Sequence, residues 1–258
     1  MRKGYYCLHI ITFPSPRSQS ASAVANGRLM YLISGYNALT THRALPNMQA
    51  IGPHGLNEEG KIIIDGNKGQ NYSSRLAAAV TLSSGGVLVT GGKGKEREVF
   101  LLSGPHLASW QRRADLLHPR MGHAALNLQM DGEEVVMVAG GWDRGGRTLS
   151  SVEIFLVGQN VWRDYVPMPS PRADFTLQVR PGHPQSKDLN NPWQVINGKV
   201  TAIGGLSSDD KFSPSADLTI TSSQPVWTDL DHGCHRAGFV SVKVPRRWIQ
   251  EMCPNVYG

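Results

Sequence analysis

His232, Cys234 and His235, with Cys253 further along, are the residue types of a zinc site. Zinc sites space such ligands in short regular pairs. This set fits no such pattern, so no metal is expected. The run G91-G-K-G-K-E96 puts a lysine after glycines. It lacks the spacing and the closing Ser or Thr of a phosphate-binding loop. The chain has no G-x-S-x-G and no H-E-x-x-H, the signatures of serine hydrolases and zinc peptidases. Asp143 and Asp209 follow glycine doublets closely, as polar loop residues commonly do. No catalytic constellation and no cofactor site emerges, and the expectation is a chain that is not an enzyme.

The residues that do recur belong to a repeated unit. Glycine doublets lie at Gly91-Gly92, Gly140-Gly141 and Gly204-Gly205, each after a short apolar run. Tryptophans follow at Trp110, Trp162 and Trp227, which are 18, 21 and 22 residues after the doublets. Turn arginines follow those, at Arg120, Arg172 and Arg236, after 10, 10 and 9 residues. The best copy reads E134-V-V-M-V-A-G-G141, S150-S-V-E-I-F-L156, Val161-Trp162 and M168-P-S-P-R172. With Arg17 and Arg75, the turn arginines are spaced 58, 45, 52 and 64. A period near 50 residues is the mark of stacked β-units.

Each unit has the makings of a four-stranded antiparallel meander. L76-A-A-A-V-T-L82, V87-L-V-T90, V99-F-L-L102 and the Trp110 segment are short, apolar and separated by Gly or Ser turns. Four short strands cannot bury both faces alone, so units must stack on their neighbours. The doublet ends the second, buried strand, where backbones crowd or φ turns positive. Tryptophan supplies a large apolar plate between units, and its indole N–H needs an acceptor. Proline ahead of the arginine cannot donate to a ladder, which suits a crossover. A β-sandwich with unrelated Gly-Gly turns is the competing architecture, but sandwiches lack a sustained repeat of this length.

This unit resembles the kelch repeat, the blade of a kelch-type β-propeller. The resemblance runs from about Ser15 to Val244 and is most specific from Gly91 to Arg236. The implied fold is all-β, with four recognisable blades (15–72, 73–118, 119–170, 171–234) and a partial fifth at 235–258. The first copy, P16-R-S-Q-S-A-S-A23 with N26-G-R-L-M-Y-L-I-S-G35, is degenerate. The last opens at H235-R-A-G-F-V-S-V-K-V244 and stops. Propellers close with 4–8 blades, so both a closed ring and an open one stand. A closed ring could pair the strand before Arg17 with F239-V-S-V-K-V244.

In Kelch-like ubiquitin-ligase adaptors, arginines at this turn line the pocket mouth and bind acidic peptides. By resemblance, Arg75, Arg120, Arg172 and Arg236 would line one face and hold a protein or acidic peptide segment through paired hydrogen bonds. The alternative is that each arginine ties down its own crossover by bonding backbone carbonyls. The adaptors' N-terminal dimerisation domain has no counterpart here. Some kelch-like propellers are copper oxidases or sugar isomerases; no cysteine lies within the well-formed units, which argues against the oxidase chemistry. A degenerate fragment without independent function is a further alternative.

Composition sets wider bounds. The 258 residues include 28 Gly and 16 Pro, with 18% charged residues and a net charge of +6. Abundant Gly and Pro suit a turn-rich β fold. The basic residues are scattered, which is not the footprint of a nucleic-acid binder. No apolar run approaches the ~20 residues of a membrane span. The N-terminal M1-R-K-G-Y-Y-C-L-H-I-I-T-F13 reads better as a strand leading into P14-S-P-R17 than as a signal peptide. That tips the open question of compartment towards the cytoplasm. Cys7, Cys234 and Cys253 form no disulfide framework, although Cys234 and Cys253 could pair in a secreted chain. Two stretches break the pattern. Asn37 to Asn71 offers one strand candidate, K61-I-I-I64, and P181-G-H-P-Q-S-K-D-L-N-N-P192 reads as a loop inserted between two strands.

Overall fold

Short apolar runs bounded by glycine turns have become antiparallel meanders. The structure, a computed structural model, describes residues 21–25, 29–33, 48–51, 74–103, 109–180, 199–209, 211–220 and 225–230. Those residues form strands and turns with no helix. Cys7, Arg17, Lys61–Ile64, the 181–192 insertion, His232, Cys234, His235, Arg236, the 239–244 run and Cys253 lie outside them.

Three four-stranded sheets follow one another along the chain. The first joins β4 (Ala78–Thr81), β5 (Val87–Thr90), β6 (Val99–Ser103) and β7 (Ser109–Arg112). The second joins β8 (Ala124–Met130), β9 (Glu133–Ala139), β10 (Val152–Leu156) and β11 (Val161–Tyr165). The third joins β12 (Thr176–Arg180), β13 (Lys199–Ile203), β14 (Ala216–Thr219) and β15 (Val226–Asp229). Ahead of them β1 (Ala21–Ala25), β2 (Leu29–Ile33) and β3 (Met48–Ile51) pair in order as a three-stranded sheet. β3 lies within the stretch 37–71 at a place where the sequence offered no strand, while the candidate at 61–64 is outside the described residues. Four residues with one polar interruption give too little alternation to be read in advance.

The register repeats from sheet to sheet. Trp110 faces Leu102, Trp162 faces Phe155 and Trp227 faces Leu218 across the last two strands. In each case tryptophan is the second residue of the outer strand. The first strands sit side by side, β1 against β4, β4 against β8, and β8 against β12. The core therefore lies between sheets. Val80, Leu88 and Val99 of one sheet meet Val136, Phe155 and Trp162 of the next. Met137, Val152 and Leu128 meet Leu177, Val200 and Trp227 in the same way. Trp162 Nε1 donates to Ala114 O at 2.8 Å, and Trp227 Nε1 donates to Val166 O at 3.0 Å. Both acceptors lie in the crossover from the preceding sheet. The expected plate and the expected acceptor are thus both present for these two tryptophans.

The doublets sit where the chain needs positive φ. Gly140 and Gly141 have φ of 62° and 92°. A Cβ on Gly140 would run into the carbonyl of Arg172, and one on Gly141 would stand 2.6 Å from Met121 O. Gly132 also has positive φ, 82°, but open space around it. Gly132→Ala is therefore expected to cost only the left-handed penalty of about 1–2 kcal/mol. Gly140→Ala adds displaced backbone to that penalty and should cost clearly more. Urea unfolding of the two variants checks the order, and equal losses would contradict it.

Candidate functional site

Three crossovers lead into the three four-stranded sheets, and the hydrogen bonds fix which of their residues correspond. Backbone bridges pair Arg75 with Lys93, Met121 with Trp142, and Ala173 with Leu206. Arg75 therefore corresponds to Met121 and Ala173. The counterpart of Arg120 and Arg172 is Ser74. Arg75 stands one place out of register with the other turn arginines, although its sequence spacing looked regular. Ser74 is buried, whereas Arg75 is half-buried.

Arg120 and Arg172 are both 0% exposed. Each joins two sheets. The Arg120 carbonyl accepts from Gly92 N–H of the preceding sheet at 3.0 Å. Its guanidinium reaches forward, where Nη1 donates to Gly140 O at 2.7 Å and to Ser151 O at 3.2 Å. Nη2 donates to Ser151 Oγ at 3.1 Å and to Glu153 Oε1 at 2.5 Å. Arg172 repeats the arrangement. Its carbonyl accepts from Gly141 N–H at 2.8 Å, and Nη1 donates to Gly204 O at 3.1 Å and Pro214 O at 2.5 Å. The pocket-mouth role expected for these two arginines is therefore corrected. A side chain without exposed surface cannot receive a peptide, and the tie-down alternative describes both. Arg236 lies outside the described residues.

Glu153, also 0% exposed, was not singled out in the sequence. Besides Arg120, it accepts from Leu117 N–H at 2.7 Å and His118 N–H at 3.0 Å. A buried carboxylate with a guanidinium and two amides is fully used. Its signal was legible: a lone acid inside the apolar run S150-S-V-E-I-F-L156. Beside the pair, His123 Nε2 meets Thr90 Oγ1 at 2.8 Å, inside the protein. Burial, with the Arg120 charge adding to it, holds His123 well below its ordinary value.

A second relay runs along the crossovers. Gly122 N–H donates to Leu76 O at 2.7 Å, and Asp174 N–H donates to Gly122 O at 2.9 Å. All three have positive φ, of 60°, 63° and 51°.

The surface at this end of the sheets is made by the loops after the doublets. They touch in series. Arg144 Nε lies 3.5 Å from Glu96 of the preceding loop. Thr148 N–H and Oγ1 lie 2.8 and 2.7 Å from Ser208 Oγ of the following loop. The exposed groups include Arg144 (68%), Arg147 (83%), Lys211 (80%) and Phe212 (48%). Arg147 pairs with Asp143 at 2.9 Å and Lys211 with Asp209 at 2.6 Å. Among the described residues no group of three or more His, Cys, Asp or Glu is placed to hold a metal ion.

Residues 133–169 match the family model of the Kelch motif, so this chain carries a kelch motif. The match covers the second four-stranded sheet from β9 into the crossover that follows. No curated protein matches the chain.

Two predictions follow from the Arg120 cluster. Glu153→Gln leaves a buried guanidinium without its counter-charge and should cost about 3–5 kcal/mol. The double variant Arg120→Met/Glu153→Gln should recover part of that loss. A double-mutant cycle in urea checks both, and additive losses would contradict the pairing. The unfolded chain takes up a proton on His123 below about pH 6.5 that the folded protein refuses. Stability should therefore fall as pH drops through that value, and His123→Gln should flatten the slope in melts between pH 8 and 5.

Proposed function

We propose that this chain, which carries a kelch motif, is a kelch-type β-propeller working without catalysis as a protein-interaction module. It takes a protein or acidic peptide segment on its loop face. The carrying observation is that the three doublet loops join edge to edge through Glu96–Arg144 and Thr148–Ser208. Rigid sheets beneath a continuous loop surface are the usual arrangement for binding. Kelch repeats generally mediate protein interactions, and the basic groups of this face supply the preference for acids.

The grip differs from that implied by the turn arginines. Arg144, Arg147 and Lys211 stand in solvent, and Phe212 offers an apolar contact beside Lys211. Asp143 and Glu96 are largely covered, at 14% and 15%, whereas Asp209 is 55% exposed. A pair exposed on both sides, as Lys211–Asp209 is, is worth about 0–1 kcal/mol. A hydrogen bond to a charged group in a desolvated interface is worth about 1.5–3 kcal/mol. A ligand carboxylate therefore displaces Asp209 from Lys211 at a net gain.

The test is an array of acidic and basic peptides, followed by anisotropy on the best binder. Arg144→Gln/Arg147→Gln should weaken binding at least about tenfold while lowering the melting temperature by no more than about 4 °C. Phe212→Ala should weaken it less. Binding that ignores both variants, or no peptide bound at all, would overturn the reading.

A further inference from the structure

The buried arginine of the third four-stranded sheet is not balanced as its counterpart is. Register sets Ser74, Arg120 and Arg172 at one position of the repeat. The position of Glu153 is held by Phe100 in the first sheet and Ala216 in the third. The first sheet thus has neither charge, with Ser74 and Phe100. The second has both, with Arg120 and Glu153. The third has the arginine alone.

The neighbouring positions changed along with it. Ser151, whose hydroxyl accepts from Arg120 Nη2, corresponds to Pro214, which has no such group. Leu117, whose N–H binds Glu153, corresponds to Pro169, which has no N–H. Among the described residues Nε lacks a hydrogen-bond partner in both arginines, but Nη2 has two in Arg120 and none in Arg172, whose side chain is 0% exposed. Phe175 lies under the guanidinium at 5.9 Å, which offers only its ring face. Burial lowers Arg172 to about 10, so it stays charged at neutral pH, with Asp229 opposing the shift. Asp229 itself is exposed on β15. A buried charge of this kind needs a counter-charge.

We propose that Arg172 Nη2 binds a small monovalent anion of chloride or formate size, in the place where the sister sheet has the Glu153 carboxylate. The Ser170 N–H, which corresponds to that of His118, is the second donor. The anion acts as a dissociable counter-ion that completes the third sheet. The site is independent of whatever the loop face binds.

The test uses the full chain at fixed ionic strength, with sodium chloride or formate exchanged against sodium gluconate, whose anion is several times larger. The melting temperature should rise saturably with the small anions, by about 3 °C or more at tenfold excess over Kd. Ala216→Glu supplies the carboxylate from the protein, so it should raise the melting point in gluconate and abolish the anion dependence. Crystals grown in bromide should show an anomalous peak beside Arg172 Nη2, a readout that does not depend on any variant folding. Equal melts in chloride and gluconate, an unchanged anion dependence in Ala216→Glu, or bromide absent from Arg172 would each overturn the proposal.

Discussion

An arginine with its main chain in one sheet and its side chain in the next is the constraint on which the rest depends. Arg120 accepts from Gly92 through its carbonyl and donates to Gly140 through its guanidinium. Arg172 does the same between Gly141 and Gly204. The doublet must be glycine because a neighbour's carbonyl sits where a Cβ would go. Tryptophan fills the outer part of the same junction and closes it with an indole hydrogen bond. Doublet, tryptophan and arginine recur together because they are three parts of one inter-sheet joint.

This joint separates the buried machinery from the surface. The repeated residues are interior, and repetition reflects the demands of stacking rather than those of a ligand. The groups available to a partner lie in the loops that the joints hold, and those loops differ from unit to unit. Lys93 to Glu98, Trp142 to Thr148 and Leu206 to Phe212 each follow a doublet but share little sequence, and the first is one residue shorter than the others. That division lets one scaffold present a particular surface.

Much of the fold was legible in the sequence, because its signals are local. The meanders, their order and the doublet turns followed from apolar runs and glycines. β5 lies at Val87–Thr90, the span the sequence offered. The role of the arginines was less legible. A guanidinium bonding carbonyls and one facing solvent have the same spacing, and only burial separates them. Arg75 shows the limit of spacing alone, since a one-residue offset is invisible until a backbone bridge pairs it with Lys93. Glu153 did leave a mark, a charge amid apolar neighbours, whose meaning depended on Arg120 lying 33 positions away in sequence.

The relay from Leu76 through Gly122 to Asp174 joins each crossover only to the one beside it. Ties of this kind make cooperativity a nearest-neighbour property. Strain introduced at one junction is felt first by the two sheets that share it and reaches others only by successive steps. Loosening at one junction would then pass on sheet by sheet, with the amide of Gly122 among the slowest to exchange its hydrogen with solvent.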